Sequence, residues 1–140
     1  GYYKDPEKTA EAFDDESYFR TGDLGFFDED GYLYFRGRTK EMIKTGGINV
    51  SPAEIEEVLL EHGAVELAYV IGLKDERRDE IVAAVIVARE AIEAEALIAR
   101  CREVLASYKV PRKVKFVEPA DLPLTSTGKL QKNRLKDLFE

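Results

Sequence analysis

Four short stretches carry residue types suited to a charged, hydroxyl-bearing ligand. They are Tyr18-Phe19-Arg20-Thr21-Gly22-Asp23-Leu24, Gly37-Arg38-Thr39-Lys40-Glu41-Met42-Ile43-Lys44, Thr45-Gly46-Gly47-Ile48-Asn49-Val50, and Thr125-Ser126-Thr127-Gly128-Lys129. An ionised carboxylate such as Asp23 can accept hydrogen bonds from two vicinal hydroxyls at once. The absence of side chains at Gly46 and Gly47 allows another group to come close. A lysine on a glycine-containing loop, as Lys129 is, can bring a compact cation to two anions that must approach each other. Taken singly, three of the stretches also have an ordinary reading: Gly22-Asp23 as a turn opening a strand, Lys40 and Lys129 as solvated lysines.

Several other chemistries are excluded by the same residues. The Gly128-Lys129 pair has Pro123 where a P-loop requires its first glycine and Leu130 where it requires Ser or Thr, and no G-x-G-x-x-G occurs. The chain has 28 acidic against 21 basic residues and a net charge of −7, which repels a nucleic-acid backbone. Basic residues do concentrate at 36–44 and 129–136, over the stretches already named. One cysteine and one histidine supply no zinc-site spacing and no internal disulfide. His62, in Glu61-His62-Gly63, reads as the end of a helix before a glycine cap. No segment approaches the roughly 20 apolar residues that span a bilayer, and the N-terminal residues do not resemble a signal peptide. A reducing cytoplasm is the predicted location.

The elements that must position these residues follow from patterning. At 140 residues the chain suits one ordinary core, burying roughly two-thirds of its unfolded surface. Residues 1–17 read as a polar loop with helical tendency over 6–12. A hairpin follows, with strands at 25–27 and 32–36 and the turn Asp28-Glu29-Asp30-Gly31. Its aromatic set of Phe26, Phe27, Tyr32, Tyr34 and Phe35 asks for a surface to pack on, which this chain does not provide. Short strands at 42–44 and 48–50 flank Gly46-Gly47. Ser51, Pro52 and Glu54 then form the start of a helix, as N-cap, first-turn proline and capping-box partner. Its apolar face is Ile55, Val58 and Leu59. Strands at 65–71 and 81–87 flank a turn at 74–78, and the unbroken apolar run of the second marks a central strand. A helix over 92–108 places Leu97, Ile98, Cys101, Val104, Leu105 and Tyr108 on a core-facing stripe, with Pro111 as its stop. A strand at 113–117 and a short helix at 133–139 complete an α+β unit, with helices covering one side of a small antiparallel sheet.

In this order the four stretches resemble the adenylate-forming (AMP-binding) enzymes, in particular the acyl-CoA synthetase branch. The likeness runs from Gly1-Tyr2-Tyr3-Lys4-Asp5-Pro6 to Lys132. It implies that residues 1–37 close a large N-terminal adenylation domain and that 38–140 form the mobile C-terminal lid, with about three helices. It implies ATP/AMP and coenzyme A as ligands, with Mg2+ accompanying ATP and no protein ligand for it identifiable here. Asp23 and Arg38 would hold the ribose of the adenylate, and Lys40 would be the hinge. Lys44 and Asn49 would lie near the adenylate phosphate, and Gly46-Gly47 would line the pantetheine channel. Lys129 would be the catalytic lysine, stabilising charge as pyrophosphate leaves. The family's phosphate loop, its second adenine-contacting motif and its acyl pocket belong to the large domain, so the remainder of the polypeptide is the implied partner and the isolated chain is expected to be inactive. The resemblance leaves two alternatives: loading of a carrier-protein thiol, as in peptide-synthetase domains, and a non-catalytic module that kept the lid fold.

Overall fold

The computed structural model describes residues 1–140. The chain divides into two compact units, Gly1–Lys40 and Glu41–Glu140.

The first unit opens with helix α1 (Pro6–Glu11), whose N-cap Asp5 accepts from the backbone N–H of Lys8 at 2.9 Å. Strands β1 (Asp23–Phe27) and β2 (Leu33–Arg38) then pair antiparallel. The Asp28 carboxylate closes their turn by accepting from the N–H groups of Tyr32 and Asp30. Both strands run further than the patterning predicts, which sets Asp23 opposite Arg38. Phe26 and Tyr34 stack with ring centroids 5.1 Å apart, yet Phe27, Tyr32, Leu33 and Phe35 are all more than 60% exposed. Of the first forty residues only Gly37 is buried, so this unit contains no core of its own.

The second unit holds both buried clusters. Its sheet has the order β4-β3-β6-β5, where β3 is Ile43–Thr45, β4 Ile48–Val50, β5 Val65–Asp75 and β6 Asp79–Ala88. Strand β7 (Lys113–Phe116) joins β6 in parallel, so the sheet is mixed rather than antiparallel throughout. Strand β6 is central, and Val82 to Val87 are all buried. Alternation along it serves two faces. Val82, Ala84 and Ile86 join Ala68 and Val70 against helices α2 (Pro52–Leu60) and α3 (Ala94–Val104). Val85 and Val87 join Leu67, Tyr69 and Ile71 against Leu122, Leu130, Leu135 and Phe139. The sheet is thus covered on both sides, because the C-terminal segment folds over the face opposite the two helices. That segment ends in a 3₁₀ helix, Lys132–Phe139, with Leu135 fully buried.

Two local expectations are corrected. Ser51 makes no side-chain cap on α2. Glu54, three residues on, accepts from Lys109, whose Nζ donates to both carboxylate oxygens at 2.6 and 2.7 Å. Helix α3 is also shorter than its stripe, because Leu105 is already extended. Val104 and Tyr108 are consequently 48% and 38% exposed, and Leu97 and Cys101 alone are buried on the helix.

Candidate functional site

Asp23 and Arg38, fifteen residues apart in sequence, are brought together by the β1–β2 register, with Arg38 Nε donating to Asp23 Oδ1 at 2.9 Å. The Asp23 N–H donates to Thr21 Oγ1, and the Thr39 N–H donates to the carbonyl of Gly22 at 2.8 Å, which fixes the strand ends around the pair. Both side chains are open to solvent, at 36% and 58% exposure, so the carboxylate retains lone pairs for a hydroxyl-bearing ligand. Lys40 follows at once, exposed in the single 3₁₀ turn Thr39–Glu41, where the first unit ends and the second begins.

Strands β3 and β4 assemble the next group. Gly46 and Gly47 form the two-residue connection, at φ 57° and 79°. Positive φ at both positions is what a type I′ turn needs, and no neighbour lies within 4 Å of where a Cβ would stand at either. The register places Lys44 directly opposite Asn49, and both are exposed. Beneath them Ile43, Thr45 and Val50 are buried, so the burial alternation of β3 turns Lys44 outward. The Gly46 N–H donates to the carbonyl of Arg78 at 2.8 Å, and the Lys44 N–H to Glu80 Oε2 at 2.7 Å, tying this hairpin to β6 and the turn before it.

Lys129 stands on a separate loop. Leu124 and Leu130 form an isolated antiparallel bridge, and the Thr125 N–H donates to the carbonyl of Lys129 at 2.8 Å. Thr125 Oγ1 accepts from the Lys129 N–H at 3.0 Å and lies 2.9 Å from Thr127 Oγ1, while Gly128 supplies φ 78°. The backbone here is a closed turn. The Lys129 side chain projects exposed from this braced base.

Each proposed residue therefore has a defined place: Asp23 with Arg38, Lys44 with Asn49 beside Gly46-Gly47, Lys40 between the units, and Lys129 on its own turn. Glu80, Glu56 and Lys132 were not legible from the sequence. Their partners are 36, 14 and as many as 91 residues away, and separations of that kind produce no periodic signal. No group of three or more His, Cys, Asp or Glu side chains is placed to hold a metal ion. No helix is long and apolar enough to cross a membrane.

Residues 54–129 match the AMP-binding enzyme C-terminal domain, a stretch that closes on Lys129. This chain belongs to the AMP-binding enzyme family. It is 44% identical to the sulfoacetate–CoA ligase of Cupriavidus necator over 96% of its own length and 26% of the relative's. It is also 44% identical to the long-chain-fatty-acid–CoA ligase FadD13 of Mycobacterium tuberculosis, over 99% of this chain and 27% of that one. Among solved structures, ATP-bound MatB from Rhodopseudomonas palustris superposes with a TM-score of 0.89 at 40% identity, covering 99% of this chain and 28% of MatB. The chain thus spans about a quarter of the length of the relatives it matches.

Proposed function

We propose that this chain is the C-terminal portion of an ATP-dependent acid–thiol ligase of the acyl-CoA synthetase type. In this reading residues 1–37 close the large domain, 38–140 are the lid, and the rest of the polypeptide supplies the acyl pocket and the phosphate loop. The supporting observation is that two CoA ligases match nearly the whole chain equally well although their acids, sulfoacetate and a long-chain fatty acid, are chemically unlike. What this segment shares with both relatives is therefore the handling of the adenylate and the thiol, with the choice of acid made elsewhere.

In the first half-reaction a carboxylate oxygen attacks the α-phosphorus of ATP, forming the acyl-adenylate and releasing pyrophosphate. Asp23 accepts from the ribose hydroxyls, and Arg38 both orients Asp23 and reaches the same sugar. Lys129 brings its ammonium to the approaching carboxylate and phosphate, offsetting their repulsion and the charge that builds as the bond to pyrophosphate breaks. Rotation about Lys40 then withdraws Lys129 and presents the Gly46-Gly47 turn, along which the pantetheine arm passes. Lys44 and Asn49 flank the phosphate. The CoA sulfur attacks the acyl carbonyl, AMP leaves, and the thiol proton passes to solvent. A hinge needs only a few changing torsions, and Lys40 lies in a single exposed turn between two separately closed units.

ATP–pyrophosphate exchange over short, medium, long and aryl acids tests the reading, using the full-length ligase that contains this chain. Lys129→Ala should depress adenylation far more than thioester formation from supplied acyl-adenylate. Equal losses in the two half-reactions would remove the role given to Lys129.

A further inference from the structure

Lys132 lies three residues beyond Lys129 at the first position of the terminal 3₁₀ helix, and its side chain is only 26% exposed. Its Nζ lies 2.9 Å from Glu56 Oε1 of α2 and 3.2 Å from Glu41 Oε2, the residue that follows Lys40. Glu56, only 18% exposed, also accepts from the N–H of Val70 on the edge strand β5 at 2.8 Å. One ammonium thus ties the C-terminal side of the hinge to α2, and through Glu56 to the sheet. The link continues to Lys129 without slack, because the Gln131 N–H donates to Pro123 O at 2.8 Å, its Nε2 donates to Leu124 O at 3.0 Å, and Leu130 packs in the second cluster.

Resting on the reading of Lys40 and Lys129 above, we propose that Lys132 is a positioning residue: it locks Glu41 to the base of the Lys129 turn, so that rotation at the hinge carries the Lys129 ammonium to a fixed place. The stability held in the Glu41 contact is small, since a half-exposed ion pair of this kind contributes little. Its geometric effect is larger, because displacement of a reacting group by about 1 Å can cost on the order of a hundredfold in rate. The Gly46-Gly47 turn is anchored separately, through Arg78 and β6, and does not depend on this clamp.

The test uses the full-length ligase, with ATP–pyrophosphate exchange and thioester formation from supplied acyl-adenylate measured side by side. Lys132→Met should lower kcat of adenylation by about tenfold or more, leave the KM values for ATP and acid within about twofold, and spare thioester formation. Lys132→Arg should restore most of the rate. Glu41→Ala removes only the hinge-side arm and leaves the Glu56 pair intact. It should lower the same kcat by about threefold or more with no change in the thermal unfolding midpoint. Equal losses in both half-reactions, a loss that follows the unfolding midpoint, or adenylation unchanged in either Lys132→Met or Glu41→Ala would overturn the proposal. Absence of exchange in the wild-type ligase would instead overturn the functional reading, and this inference with it.

Discussion

Gly72 is a remote handle on the β3–β4 hairpin. A Cβ added there would stand 2.7 Å from Cδ and Oε2 of Glu80, whose Oε2 accepts from the Lys44 N–H at 2.7 Å. The clashing atoms are the far end of a flexible side chain, so Gly72→Ala displaces Glu80 at little steric cost, and what is lost is its hydrogen bond to β3. A bond to a charged acceptor in this half-open setting contributes about 1.5 kcal/mol. Alanine in place of a strand glycine with an ordinary backbone returns about 0.5 kcal/mol by lowering the entropy of the unfolded chain. The net destabilisation of about 1 kcal/mol should lower the unfolding midpoint of the unit Glu41–Glu140 by about 4–8 °C. The assay is thermal unfolding of the 140-residue chain, with amide exchange at Lys44 read alongside. With Glu80→Ala already present, the same Gly72→Ala change should raise the midpoint by about 2–4 °C, since only the entropic gain remains. The Lys44 amide should lose its protection in either single variant. A Gly72→Ala shift of the same sign and size in both backgrounds would mean that Glu80 is not displaced, and the reasoning would fail.

Two further outcomes follow from particular side chains. Burial pushes the Cys101 thiol above its ordinary 9.0, the neighbouring Arg100 guanidinium opposing this only in part, so the folded chain holds that proton more tightly than the unfolded one. The resulting stability is present below the unfolded value and is lost as pH rises through the folded one. The unfolding midpoint should therefore fall more steeply above pH 9.0 in the wild type than in Cys101→Ala, and a midpoint with the same pH slope in both would contradict it. Gly47→Ala forces a side chain into φ 79° with nothing nearby to clash, so it should cost about 1–2 kcal/mol of stability through backbone strain alone. In the full-length ligase it should slow thioester formation while sparing ATP–pyrophosphate exchange; a selective loss of exchange would contradict the place given to this turn.

Much of the fold was legible because its signals are local. The unbroken apolar run of β6, Pro52 opening α2 and the adjacent glycines at 46 and 47 each act within a few residues. The deviations arose where local rules fall short. Ser51 stands at the N-cap of α2 without a side-chain cap bond, and Glu54 carries a two-oxygen ion pair with Lys109, fifty-five residues away in sequence, that no local rule announces. The stripe of α3 extended to Tyr108 on periodicity alone, whereas the helix stops when Leu105 turns extended. The C-terminal segment was read as a small appended helix, and nothing in its pattern said that Leu135 and Leu138 cover the second face of the sheet.

The candidate site divides along the same line. Asp23, Arg38, Gly46, Gly47 and Lys129 stood out through the family resemblance of the stretches that carry them, because a group proposed to meet a ligand must have the chemistry the ligand needs. The groups that hold them in place are under no such constraint. Glu80 and Lys132 are an ordinary glutamate and lysine, and what distinguishes each is the backbone N–H or the carboxylates that the folded chain brings to it. A lysine that acts in only one of two lid orientations needs its base to move as a rigid body, and rigidity here depends on contacts across as many as 91 residues of sequence. That is why Lys129 could be proposed before the structure, while the clamp proposed to aim it could be proposed only after.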